Sequence, residues 1–301
     1  MSLVFLGTSG ATPTVERNLS STALKANGSV YLFDCPEGTQ RQMMKAKISY
    51  MKIDSIFLTH FHGDHILGLP GLIATMSMHE RMTQLKIFGP KGVGERVKKS
   101  LELSLLQVKF EVKCVEVKKA GEILKGENFS VTAFPVKHDV PCFAYVFREK
   151  DKEGEFDKKK AHSLGIPEGP LYSRLQKGYS VKFGGKTFKP EQVMDYSKGR
   201  KGKKVSIVMD SLPSKSYYPW IRESDVLVHE STFGEKHAER AKETMHSTAK
   251  QAGKVAGETK SKKLVLTHFS PRYKELNDLE NEARTEFGEV VVAEDLLELE
   301  V

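Results

Sequence analysis

Short apolar runs bounded by Gly, Pro and Asp recur in both halves of the chain, and runs of this kind predict buried strands. A first series occupies residues 3–6, 30–33, 56–58 and 86–88. Residues 69–82 carry apolar side chains at helical spacing and predict a helix, as do residues 93–106. Between 86–88 and 93–106, Gly89-Pro90-Lys91-Gly92 lacks the Gly-Lys-Ser/Thr ending of a phosphate loop and reads as a strand-to-helix turn. Residues 112–117 and 129–134 read as strands in a hairpin-rich stretch. After Phe147 the pattern changes to a charged segment, punctuated by Gly and Pro, that lasts to about Lys204. A second strand series follows at 205–209, 226–228 and 264–266, with a helix expected over 238–259. Strand-rich halves flanked by helices predict an α/β fold with two sheets packed face to face and helices outside.

Polar residues at the ends of these runs carry the candidate chemistry. His60-Phe61-His62-Gly63-Asp64-His65 follows the run at 56–58 and places four metal-ligating side chains within six residues. Histidines two apart at a strand end point to one side, and residues placed where the chain bends away reach a second position. Later runs stop at further candidates: Met209 precedes Asp210, Val228 precedes His229-Glu230, Thr267 precedes His268, and Lys137 leads into His138. Strand ends are rigid platforms whose side chains converge where sheets meet. We assign His60, His62 and His138 to one metal position and Asp64, His65 and His268 to a second. Asp210 bridges them, because a carboxylate offers one oxygen to each ion. Imidazole and carboxylate ligands favour zinc, with manganese or magnesium as alternatives. Two such ions activate water and brace an in-line displacement. That chemistry suits a phosphodiester, lactone, thioester or β-lactam alike.

Composition narrows the class. The 301 residues have 39% hydrophobic content, and no stretch approaches the roughly 20 apolar residues of a membrane helix. Three cysteines, Cys35, Cys114 and Cys142, show no C-x-x-C pairing and read as buried, reduced thiols of a cytoplasmic protein. Charge placement adds more. Residues 148–204 hold 16 Lys or Arg against 8 Asp or Glu, so the whole net charge of +8 resides there. Clustered cations supply phosphate affinity that is independent of base sequence. Within that segment Tyr172, Tyr179 and Phe183 suit either stacking on bases or packing a small core of its own, and packing is expected. His79, His162 and His237 match no ligand position and are expected at the surface.

The turn at 60–65 with His138, Asp210 and His268 resembles the metallo-β-lactamase superfamily. Further segments resemble its ribonuclease Z branch: Gly7-Thr8-Ser9-Gly10, Pro13 with Arg17-Asn18, Asp34 with Glu37-Gly38-Thr39-Gln40, His229-Glu230-Ser231-Thr232, His246-Ser247-Thr248 and Thr267-His268-Phe269-Ser270-Pro271-Arg272-Tyr273. Val15 departs from the pattern, standing where a basic residue is common.

The resemblance implies one αββα four-layer catalytic domain over 1–301, interrupted at 148–204 by a flexible arm that grips tRNA. It implies a zinc-dependent endoribonuclease that cuts precursor tRNA after the discriminator base and leaves a 3′-hydroxyl. Two zinc ions per subunit and a homodimer are implied with it. Carried over by position, Asp64 accepts a proton and orients the attacking water, and His246, held by Glu230, protonates the departing ribose oxygen. Gly169, Pro170 and Leu171 match the arm's Gly-Pro motif. Arg17 lies in a matching segment, and Arg272, four residues after His268, suits either a phosphate clamp or a structural ion pair. Two alternatives remain open. One is a small-molecule phosphodiesterase or ester/lactone hydrolase of the same fold, and the other an inactive RNA-binding subunit.

Overall fold

A computed structural model describes residues 1–103 and 107–301. The chain divides into two compact units, Met1–Phe147 with Lys204–Val301, and Arg148–Lys203.

The larger unit is built on two seven-stranded sheets. The first runs in the order Glu298–Glu300, Ser2–Gly7, Ser21–Ala26, Ser29–Phe33, Ile53–Phe57, Leu85–Gly89, Val112–Glu116. Its Ser2–Gly7 side pairs antiparallel, while its last four strands pair in parallel. The second runs Val290–Val292, Leu264–Thr267, Val226–Glu230, Lys204–Val208, Cys142–Glu149, Phe129–Val136, Gly121–Lys125. Its first four strands are parallel, so their carboxyl ends share one edge of the sheet.

Successive strand residues face opposite sides, and here both sides are buried, which is why these strands read as continuous apolar runs. Leu3 and Phe5 join Tyr31, Phe33, Phe57, Phe143, Tyr145, Ile207, Val228 and Val265 in the layer between the sheets. Val4 and Leu6 turn outward onto a second core with Leu72, Ile73 and Met76 of the helix Leu69–Met78 and Val97 of the helix Val93–Glu102. Leu227, Leu264 and Leu266 do the same on the other sheet, against Ala252, Val255 and Ala256 of the helix Ala249–Glu258 and Leu279 of the helix Asn277–Arg284. The result is the expected αββα order. Cutting one of the fully buried rings of the middle layer, such as Phe5, back to Ala would cost about 3–5 kcal/mol.

Several expected elements differ. The helix expected over 69–82 ends at Met78, because Glu80 takes a φ of 57° and Arg81 N–H returns to Met76 O at 3.0 Å. The buried Arg81 guanidinium then donates to the carbonyls of Met51, Ile53, Thr83 and Gln84. The helix expected over 93–106 runs from Val93 to Glu102, and its expected end at 104–106 lies outside the described residues. Val112–Glu116 does not pair within the hairpin but closes the first sheet, and the hairpin proper is Gly121–Lys125 with Phe129–Val136. The helix expected over 238–259 is two, Ala238–Glu243 and Ala249–Glu258. Thr248 caps the second in a capping box with Gln251, and Met245 at φ 57° turns the chain between them.

The smaller unit has its own core of Ala161, Ile166, Tyr172, Leu175, Val181, Phe188 and Val193. It contains the helices Lys158–Ser163 and Pro170–Gln176 and two short strand pairs. Gly169 precedes the second helix at φ 127°, a conformation that favours glycine, and Pro170 opens that helix. Tyr172 packs against Phe156 with ring centroids 4.7 Å apart, as expected of a core residue. Tyr179 and Phe183 do not join it and remain 61% and 45% exposed.

Candidate metal centre

The strand Ile53–Phe57 delivers His60 three residues beyond its end, and His62 in extended conformation precedes the short helix Gly63–Ile66. That helix turns Asp64 and His65 back toward His60. From the second sheet, His138 follows Phe129–Val136, Asp210 follows Lys204–Val208, and His268 follows Leu264–Thr267 at φ 60°. Gly10 faces the His268 ring so closely that a Cβ there would lie 2.6 Å from it.

All seven side chains converge. Donor atoms of His60, His62, His138 and Asp210 lie within 4.8 Å of one another, as do those of Asp64, His65 and His268. Asp210 stands between the groups. Its Oδ2 lies 3.8 Å from His60 Nε2 and 3.9 Å from His138 Nε2, while its Oδ1 lies 3.4 Å from His65 Nε2 and 3.1 Å from His268 Nε2. Among the described residues His65 Nε2, Asp210 Oδ1 and His268 Nε2 are buried without a hydrogen-bond partner. Buried polar atoms are normally paired, so three orphans aimed at one another mark a place for a cation. Imidazole nitrogen and carboxylate oxygen are the donors a divalent transition metal takes.

Polar groups around the cluster fix the rings. Asp34, at φ 59°, accepts from His65 Nδ1 at 2.8 Å and is itself held by the Thr59 N–H at 2.7 Å. Thr59 Oγ1 lies 2.9 Å from His60 Nδ1, Thr232 Oγ1 lies 2.9 Å from His268 Nδ1, and Met245 O receives His138 Nδ1 at 3.3 Å. The Ala11 N–H donates to Asp64 Oδ2 at 2.9 Å. Each of these ring contacts engages Nδ1 and leaves Nε2 of His60, His65, His138 and His268 turned toward the cluster, the usual arrangement around a metal-bound histidine. Sequence reasoning assigned no role to Asp34, Thr59 or Thr232. The signals were a short polar residue beside a ligand or a strand end and, for Asp34 and Thr232, membership of a segment matching the branch.

Electrostatics agree with this arrangement. Burial opposes charge on Asp210, yet His268, His65 and His60 hold its carboxyl well below the usual range. Asp64 behaves likewise, burial being outweighed by the hydrogen bond and charge of His65. Burial and the neighbouring imidazole of His65 push His60 well below the histidine range. Burial also depresses His268. His65 goes the other way: burial opposes its charge, but Asp210 and Asp34 overcome it. Anionic carboxylates and neutral imidazoles are the forms that bind cations, and His65 would release its proton on loading.

Beside the cluster, His246 Nδ1 donates to Glu230 Oε1 at 3.0 Å. Glu230 is fully buried and also accepts from the backbone N–H of Ser211 and of Thr232 and from the Thr232 hydroxyl. Burial lowers the His246 pKa, but the Glu230 carboxylate more than reverses this and lifts it to about 9. The break between the two helices of 238–259 presents this imidazole to the centre, 4.0 Å from Asp210 Oδ2.

Other candidates lie elsewhere. His229 is on the opposite face of Val226–Glu230 from Glu230, its Nε2 3.2 Å from the Tyr217 hydroxyl, so it takes no part in the cluster. Arg17 is half-buried and donates to Tyr273 O rather than to any cluster residue. Arg272 is exposed, its guanidinium 5.0 Å from the centre of the Phe233 ring. Gly169, Pro170 and Leu171 belong to the smaller unit. His79 and His162 are exposed, but His237 is half-buried and bonds the Tyr273 hydroxyl at 2.8 Å. Cys35 and Cys142 are buried free thiols, whereas Cys114 on an edge strand is only half-buried. No helix among the described residues is long and apolar enough to cross a membrane.

Comparison with known proteins gives consistent results. The chain is 42% identical over 300 residues to ribonuclease Z of Methanosarcina acetivorans, covering 99% of this chain and 97% of that protein. It is 42% identical to ribonuclease Z of Nitrosopumilus maritimus, with full coverage of both. Among solved structures, human tRNase Z, short form, superposes with a TM-score of 0.72 at 28% identity, covering 100% of this chain and 99% of that one. The metallo-β-lactamase fold protein YhfI of Bacillus subtilis reaches the same TM-score, 0.72, at 19% identity and shares the fold. A family model described as anti-Pycsar protein Apyc1 matches residues 1–150.

Proposed function

The chain belongs to the ribonuclease Z family, and from that premise we propose that it is a metal-dependent endoribonuclease that removes 3′ trailers from precursor tRNA, cutting after the discriminator base to leave a 3′-hydroxyl. The observation that carries this reading is the convergence of seven donors from both sheets, with three of their atoms buried and unpaired.

Two zinc ions, one held by His60, His62 and His138 and one by Asp64, His65 and His268 with Asp210 between them, would polarise the scissile phosphate and make water a nucleophile near neutral pH. The chain's own residues do the rest. Asp64 is a weak base, but its carboxylate, fixed by the Ala11 N–H, both orients the attacking water and accepts the proton that water gives up. As the water oxygen bonds to phosphorus, the bond from phosphorus to the 3′ ribose oxygen breaks. His246 delivers its proton to that departing oxygen from the ring nitrogen not engaged by Glu230. In the metal-free protein the Glu230 carboxylate raises the His246 pKa to about 9, which favours the protonated, proton-donating form. A positioned acid of this kind contributes about 10²–10⁴-fold.

The basic segment at 148–204 supplies phosphate contacts to the body of the tRNA, away from the cut. Arg17, Gly169, Pro170, Leu171 and Arg272 are the further substrate contacts, and two subunits form the working enzyme. The test is direct. Zinc-loaded protein is incubated with a 3′-extended precursor tRNA and the ends are mapped. A single cut beside the discriminator base is expected. No cut despite tight binding, or hydrolysis of small esters alone, would refute the reading.

A further inference from the structure

Next to His138 lies a carboxylate that none of the assignments above uses. Asp139 Oδ1 is 3.0 Å from His138 Nε2 and 3.7 Å from His62 Nε2. His138 Nε2 faces the first metal position, 3.9 Å from Asp210 Oδ2, whereas His62 turns its Nδ1 toward that position, 2.9 Å from His60 Nε2 and 3.4 Å from His138 Nε2. Among the described residues no Lys or Arg lies within ion-pair distance of this carboxylate, and its ion-pair partners are these two imidazoles. Its placement is not left to a free loop. Lys137 O receives the Leu212 N–H at 2.9 Å, and His138 Nδ1 bonds Met245 O, so the backbone on its amino side is tied to the segments that carry Asp210 and His246. Asp139 also differs from the other donors in exposure. Its side chain is 55% exposed, against 39% for His62, 4% for Asp210 and 2% for His138, so it approaches the cluster from the solvent side.

We propose that Asp139 is an additional ligand of the metal position formed by His60, His62 and His138, closing that position on its solvent side. The inference rests on the metal-centre reading and deepens it. Three imidazoles and one oxygen of Asp210 give that position a four-donor set, and catalytic zinc sites can expand to five donors. An anionic oxygen within reach of two of those imidazoles lowers the tendency of the cation to leave. The two positions thereby become unequal. The first has five protein donors including two carboxylates, and the second has Asp64, His65, His268 and the other oxygen of Asp210. A purely structural reading makes Asp139 a partner for protonated His138 in the metal-free protein.

The two readings separate in zinc binding. Full-length wild type, Asp139→Asn and Asp139→Ala are loaded with zinc alone and titrated with a chelator, and the metal-free forms are melted. If Asp139 is a ligand, one of the two release steps moves about tenfold toward easier loss in both variants while the other stays in place. The visible spectrum of cobalt-loaded protein changes with it, because one metal position loses a donor. If both release steps coincide with wild type, or if the metal-free variants melt lower while zinc is held as well or better, Asp139 is a structural partner and the proposal fails. Asp210→Asn serves as the control. If that variant also retains zinc like wild type, the metal centre itself is wrong, whereas failure of the Asp139 variants alone leaves the centre standing.

Discussion

Asp34 accepts a hydrogen bond from His65 Nδ1 at 2.8 Å, and neither residue is exposed by more than 1%. This contact fixes the ring so that Nε2 faces Asp210 Oδ1. Replacing Asp34 with Asn should weaken zinc affinity about 10–100-fold, the usual cost of removing such a support. Chelator competition measures it, and an unchanged midpoint would mean that His65 is held by packing alone.

His246 should behave as an acid rather than as a ligand. His246→Ala is expected to keep its zinc, by metal analysis, while turnover on precursor tRNA falls about 10²–10⁴-fold. Loss of zinc in that variant would move His246 into the ligand set.

The same pair has a pH signature in the metal-free protein. The folded His246 pKa, about 9, lies above the ordinary 6.5, so the stability contributed by its pairing with Glu230 is complete below pH 6.5 and disappears as pH rises through about 9. Nuclear magnetic resonance titration of the imidazole should show the raised value in wild type and a fall toward the ordinary one in Glu230→Gln. Identical titration curves would remove the coupling.

The elements that carry the ligands were legible because their signals are local. His60, Asp210 and His268 each sit within two residues of an apolar run, with His62, Asp64 and His65 in the five positions after His60, and those runs are continuous because both faces of each sheet are buried, as Leu3 and Val4 illustrate. What sequence alone left out depends on tertiary structure. Nothing local says that the chain turns at Met245, although Thr248 with Gln251 was a readable capping box inside the expected helix. Strand parity also carried unused information. Val226 and Val228 face the layer between the sheets and Leu227 faces away, so His229 must follow Leu227 and leave the site while Glu230 enters it. The pairing of Val112–Glu116 with Leu85–Gly89 is a long-range choice that no turn signal announces.

Thr248 accepts the Gln251 N–H at 3.2 Å and starts the helix that follows His246. Thr248→Ala should destabilise the protein by about 1 kcal/mol, a fall in melting temperature of roughly 1–2 °C for a chain of this size. Calorimetry reads it directly. A melting curve superimposed on wild type would show that the helix starts without its cap.

Removal of residues 148–203, replaced by a short flexible link, should weaken binding of precursor tRNA and flatten its dependence on salt, because clustered cations act through counterion release. Hydrolysis of a small phosphodiester such as bis(p-nitrophenyl) phosphate should continue at the wild-type rate. Equal loss on both substrates would assign the segment to folding rather than to RNA binding.

The two-cation centre is tested most directly by anomalous diffraction at the zinc edge from crystals of the zinc-loaded protein. Two peaks are expected, one among His60, His62 and His138 and one among Asp64, His65 and His268, with Asp210 reaching both. A single peak, or none within reach of these side chains, would contradict it.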